Sequence, residues 1–262
     1  MSATLTRSEA VTTEHLQELL NHSDESRARV ILAAARTGEL QAQVMLGQIL
    51  LQGLGIQRDP QLALTWFELA AQRGSAMAFN MLGRCHEHGW GCAVDLPAAA
   101  DHYHQAAERS LDWGMYNLAN LMATGRGVER DLAAAFSLYL QAAELGHAKS
   151  MNLVGRCYED GLGVASDPAA AHTWYRRSAQ AGDFRGQFSL AGVLIAQGLF
   201  EEAEDWLRQA LANGNLKFLR SARQALLQVP LARLRAIARD YHKRAAELGD
   251  AGDQQALEAL AP

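Results

Sequence analysis

One feature constrains this chain more than any other: it repeats with a fixed period. Gly38, Gly74, Ser110, Gly146 and Gly182 stand 36 residues apart each time. Nine residues after each start comes a small residue (Gly47, Gly83, Ala119, Gly155, Ala191). Each follows a bulky apolar one: Leu46, Leu82, Leu118, Val154 and Leu190. Four units then carry a glycine pair, in GLG (53–55), GWG (89–91), GRG (125–127) and GLG (161–163). An aspartate closes each of these loops, at Asp59, Asp95, Asp131 and Asp167. A period of this length means stacked supersecondary units, because one unit alone cannot bury its apolar stripe.

Each unit reads as two helices, A and B. The small residue in the middle of helix A lets a neighbouring helix approach closely, at some cost in helix propensity. The glycine pair stops helix A and supplies the positive φ of a tight reversal. The aspartate then N-caps helix B, and in Asp59-Pro60 and Asp167-Pro168 the proline takes the first helical position. Helix B presents Ala63, Ala99, Ala135 and Ala171, an aromatic or leucine next, and Ala-Ala before the following unit. Trp66, Trp174 and Trp206 share one slot on it, which reads as a packed core slot.

The recurring pattern resembles the Sel1-like repeat, a relative of the tetratricopeptide repeat; the longer glycine loop carries the resemblance. It implies an all-α fold, a right-handed α-α superhelix of about five helix pairs capped by helices at both ends. The expected organisation is N-terminal capping helices over 1–37, repeats over 38–213 and C-terminal capping helices over 214–262. The repeats divide at 38–73, 74–109, 110–145, 146–181 and 182–213. The fifth unit departs from the pattern, because GLF (198–200) stands where the glycine loop is expected. A shorter turn is predicted there.

The net charge of −5 disfavours nonspecific attraction to nucleic acid or anionic lipid. The N-terminus lacks the apolar run of a signal peptide, and no stretch approaches the roughly 20 apolar residues of a membrane span. Three cysteines (Cys85, Cys92, Cys157) suit a reducing compartment and give no disulfide framework. Cytoplasmic localisation is expected. No nucleotide-binding or nucleophile-elbow motif appears, so neither a cofactor nor an enzymatic activity is expected.

Histidines gather in the second unit: His86, His88, His102 and His104, with Cys85 and Cys92 nearby. Residues two apart on a helix point about 200° apart, so neither H-x-H pair can share a metal. His86 and His102 form the one pair able to meet across helices A and B. Cys85 and Cys157 occupy one helix-A slot and are expected in the core.

In solenoids of this kind the exposed side of helix A lines the concave groove. The corresponding positions are Met77, Asn80 and Arg84; Trp113, Tyr116 and Asn120; Lys149, Asn152 and Arg156; Arg185 and Phe188. Asparagine pairs with peptide backbone as donor and acceptor, and arginine grips carboxylates bidentately. The expected function is a scaffold or adaptor that binds a protein or peptide, with an acidic segment or C-terminus meeting the arginines. Replacing Asn152 and Arg156 should then weaken binding while leaving the fold nearly untouched. Two alternatives stand beside it: an accessory or regulatory subunit of an enzyme or uptake system, and a metal-responsive protein using the histidine and cysteine cluster.

Overall fold

The computed structural model describes residues 23–229 and 232–260. All regular structure among these is α-helical, and the chain divides into two compact units, residues 1–130 and 131–262. The first unit holds α1 (Asp24–Arg36), α2 (Leu40–Gln52), α3 (Pro60–Gln72), α4 (Ala76–His88), α5 (Leu96–Glu108) and α6 (Asp112–Thr124). The second holds α7 (Leu132–Glu144), α8 (Ala148–Asp160), α9 (Pro168–Gln180), α10 (Phe184–Ala196) and α11 (Phe200–Asn213). It continues through α12 (Leu216–Leu227), α13 (Ala232–Leu248) and α14 (Ala251–Glu258). Even-numbered helices from α2 to α10 are the A helices of the five repeats, and the odd-numbered ones from α3 to α11 are the B helices. Of the expected N-terminal caps, α1 is present; residues 1–22 lie outside the described part. No described helix is long and apolar enough to cross a membrane.

The aspartates cap as the sequence predicts. Asp59, Asp95, Asp131 and Asp167 each accept a hydrogen bond from the backbone N–H three residues on, at 2.9–3.0 Å. The first glycine of each pair ends helix A in the left-handed conformation. Gly53 has φ 75° and donates its N–H to the Ile49 carbonyl at 2.8 Å. The second glycine does something different. A Cβ on Gly91 would lie 2.2 Å from the Pro60 carbonyl oxygen, and one on Gly163 would lie 2.0 Å from that of Leu132. A Cβ on Gly55 would lie 2.0 Å from the Asp24 carbonyl oxygen, and one on Gly127 2.4 Å from the Leu96 carbonyl carbon. In every case the neighbour is the first residue of the helix B one unit earlier. For Gly55 that helix is α1, which thereby stands in as the B helix of a preceding repeat.

The small residues within helix A have a partner the sequence did not identify. A Cβ on Gly47, Gly83 or Gly155 would lie 2.4–2.6 Å from the ring of Phe67, Tyr103 or Tyr175 respectively. The fully buried slot of helix B is therefore Phe67, Tyr103 and Tyr175, one residue beyond the tryptophan slot. Trp66 and Trp206 are only partly buried, at the margins of the two cores. The correction has a simple cause: a ring lying flat on a glycine must leave the B helix on the side that faces helix A. Tyr103 and Tyr175 also donate their hydroxyls to Glu87 and Glu159.

The unit starts carry positive φ as well, from 84° to 97° at the four glycines and 58° at Ser110. The fifth turn is the shorter one expected: residues 197–199 join α10 to α11, where residues 53–59 join α2 to α3. Gly198 keeps positive φ (77°) but has open space around it. Beyond α11, Tyr241 on α13 is buried and donates to the Leu207 carbonyl at 2.7 Å.

The two glycines of one loop therefore differ in what they tolerate. Gly161→Ala meets only ordinary contacts and should cost about 1 kcal/mol, the penalty of a left-handed side chain. Gly163→Ala forces the docked backbone apart as well and should cost about 3 kcal/mol or more. Gly127→Val should likewise destabilise. Urea denaturation of the full chain reads the difference; equal losses at Gly161 and Gly163 would show that the close approach contributes nothing.

Candidate functional site

The helix-A face of the first unit carries the densest group of candidate residues. Gln48, Arg84 and Asn120 occupy one register position on α2, α4 and α6. Trp90 sits between two glycines of positive φ (72° and 78°) and packs, partly buried, at the edge of the first core. Its N–H donates to the Cys85 carbonyl at the end of α4, at 2.9 Å. The Arg84 guanidinium lies over the Trp90 ring, 5.0 Å from its centroid, with Nη1 3.7 Å from the Met81 sulfur. From the neighbouring loop Arg58 donates Nε to the Leu51 carbonyl, one of the open carbonyls of α2, at 3.0 Å. Arg130 repeats this bond to Ala123 at 3.2 Å, so the strap belongs to the loop architecture.

These side chains border a cleft of about 390 Å³ between α2 and α4. Leu51, Met81 and Trp90 give it apolar walls; Gln48, Gln52, Arg58 and Arg84 give it polar ones. No acidic residue lines it, and neither arginine makes an ion pair among the described residues. Arg58, Trp90 and the two glutamines were not among the sequence-predicted site residues. The signal available for Trp90 was its place in GWG, where the other loops carry Leu54, Arg126 and Leu162.

The predicted groove residues fall into two groups. Trp113 is exposed (38%) and meets Tyr116 edge-on, with ring centroids 5.9 Å apart. Arg84, Asn120 and Lys149 are half-buried, while Arg156 and Arg185 are exposed. Arg185 lies 3.9 Å from Asp183 and covers the Phe184 ring. Asn80 and Asn152 require correction, being only 3% and 4% exposed. Asn117 donates to the Asn80 Oδ1 at 2.8 Å, and Ser189 donates to the Asn152 Oδ1 at 3.1 Å. Both asparagines tie one helix A to the next and do not lie open to a ligand. Phe188 packs against Phe218 and Tyr241, and Met77 packs at the edge of the first core.

His86 and His102 do meet: their rings stack with centroids 5.2 Å apart and planes 24° apart. The Cys92 Sγ lies 3.8 Å from the His86 Nδ1. Among the described residues no three His, Cys, Asp or Glu side chains converge as a metal-ligand set. Stacked rings direct their nitrogens past each other, which accounts for this geometry. Cys85 and Cys157 are buried, and burial pushes their thiols up to about 12 and about 11. Burial and then the neighbouring His86 lower the His102 pKa, against a smaller opposing effect of Asp101.

The Sel1 repeat sequence profile matches residues 40–75, 76–111, 114–147, 148–183, 186–215 and 233–250. The sixth match falls on α13, inside the segment expected to be a cap. A Sel1 repeat protein from Oxalobacter formigenes is 25% identical, with a TM-score of 0.75 over 94% of this chain and 100% of its own. A protective antigen of uropathogenic Escherichia coli displaying an SLR fold is 27% identical, with a TM-score of 0.66. That match covers 91% of this chain and 52% of the antigen, so the chain spans about half the antigen's length. An immunity protein from Pseudomonas aeruginosa, 17% identical with a TM-score of 0.52 over 85% and 81% of the two chains, shares the fold alone. No curated protein matches the sequence.

Two outcomes follow from these contacts. Asn152→Ala strips Ser189 of a buried partner and should cost about 1–2 kcal/mol in chemical denaturation; an unchanged midpoint would return Asn152 to the open face. The lowered His102 pKa means that the unfolded chain binds more protons at mildly acid pH. Its contribution to stability is therefore present above the ordinary value of 6.5 and lost as pH falls through the lower folded value. His242, lowered chiefly by its own burial, acts with the same sign. Thermal midpoints of His102→Phe should fall less steeply with acidification than those of the native chain, and parallel curves would refute the assignment.

Proposed function

The chain belongs to the Sel1 repeat family, and on that footing we propose that it is a non-enzymatic scaffold holding a protein segment along its helix-A face. Sel1 repeat proteins are in general protein–protein interaction scaffolds, and their fold is typically non-catalytic. The observation that carries the reading is the aromatic and guanidinium surface of the first unit: exposed Trp113 with half-buried Tyr116, and half-buried Arg84 over Trp90. Tryptophan, tyrosine and arginine are the side chains that dominate binding energy at protein interfaces, because each combines a large apolar area with a directed polar group. The unpaired thiols agree with a cytoplasmic setting.

The test compares capture of partners from the native lysate by three immobilised forms of the full chain. Trp113→Ala combined with Tyr116→Ala should reduce the captured partner about tenfold, as expected for removing one interface anchor. Leu69→Ala, on the exposed side of α3, should capture as the native chain does. Retention by the aromatic double variant and loss by Leu69→Ala would place the binding surface on the B helices.

A further inference from the structure

We propose that the cleft between α2 and α4 seats the free carboxyl terminus of a partner segment whose last side chain is apolar. The inference rests on the scaffold reading above and names the chemistry one end of that segment must have.

Several arginines of this acidic chain pair with carboxylates: Arg126 with Glu87, Arg176 with Glu202, Arg208 with Glu204, and Arg220 with Asp250 and Asp253. Arg58 and Arg84 do not, although 29 acidic residues are available to the chain. Both are nevertheless held in place. The Leu51 carbonyl fixes Arg58 through Nε, leaving its two Nη groups for a ligand, and the Trp90 ring supports the plane of Arg84. A guanidinium already ordered loses less entropy when it binds an anion. Two of them bordering one cleft, with no carboxylate of its own, call for an anionic ligand.

The remaining walls say what carries the anion. Gln48 and Gln52 stand one turn apart on α2, and each offers an amide that donates and accepts, as a peptide backbone requires. Leu51, Met81 and Trp90 supply apolar surface, methionine being the most adaptable of apolar side chains. A C-terminal residue joins a carboxylate, a backbone N–H and an apolar side chain at one Cα. An aspartate or glutamate side chain brings the charge but leaves the Trp90 and Met81 surfaces uncovered. A cleft of about 390 Å³ lies within the ordinary range for enclosing a small ligand.

The experiment uses the full chain and a panel of N-terminally labelled hexapeptides ending in leucine, valine or phenylalanine, read by fluorescence anisotropy. Each peptide is made as a free acid and as an amide; a third version is amidated with an internal aspartate. The free acids should bind at least about tenfold more tightly than the amides, the loss expected for one charge-assisted contact. Arg84→Gln and Arg58→Gln should each close that gap; Arg84 has no backbone hydrogen bond, so R84Q reads the ligand contact without disturbing the loop strap. Equal binding of acid and amide, equal binding of the internal aspartate version, or no binding by any peptide would overturn the inference. Those results leave the scaffold reading intact if Trp113→Ala with Tyr116→Ala still loses the native partner. If that double variant keeps the partner, the scaffold reading fails on its own.

Discussion

The whole arrangement depends on one contact between backbones: a glycine of each long loop lying against the first carbonyl of the B helix before it. Gly55, Gly91, Gly127 and Gly163 all make it, and none has room for a methyl group. Side-chain packing tolerates adjustment, whereas two main chains at this separation leave almost none. The docking therefore sets the spacing between neighbouring helices within each compact unit. It also fixes which A helices lie side by side, and hence where the asparagine rungs and the arginine-bordered cleft fall. The aspartate caps on α3, α5 and α7 serve the same contact indirectly, because they fix the first turn of the helix on which the glycine lands.

Much of this was legible in the sequence, since it lives in local chemistry. Asp59 and Asp167 before proline, the left-handed Gly53, and the shortened turn at Gly198 each obey rules that involve only a few neighbouring residues. The 36-residue period then made the units equivalent without any knowledge of their packing. What escaped was rotational detail. Trp66 and Phe67 are adjacent and both aromatic, and only the position of Gly47 across the pair decides that Phe67 is the one fully enclosed. The family profile adds a sixth match on α13, where the strict period had already lapsed.

The candidate site was legible in part for a related reason. Arg84 and Trp113 stand where the helix-A register places them, but so do Asn80 and Asn152, which prove to be rungs between neighbouring A helices. A polar residue at a face position either meets solvent or meets the next helix across a seam, and composition does not separate the two outcomes. Partner spacing does: Asn117 follows Asn80, and Ser189 follows Asn152, by 37 residues, one more than the period. Arg58 escaped because it belongs to a loop, outside the helical register used to find the groove. Its role depends on a guanidinium reaching back over the end of α2.

The open turn at Gly198 bears on how a chain of this kind lengthens. A copied block that contains both a long glycine loop and a capped B helix brings its own plug and its own socket. Such a cassette fits between existing units without any change to its neighbours. The fifth unit lacks the plug: Gly198, the one glycine of its turn, touches nothing, and α11 starts without a side-chain cap. Duplicating that unit would yield a helix pair held to the one before it by helix-A contacts such as the Ser189–Asn152 rung, without the loop docking. The long-loop units thus carry their own docking parts, and that device ends at the fifth turn, although the repeat pattern returns on α13.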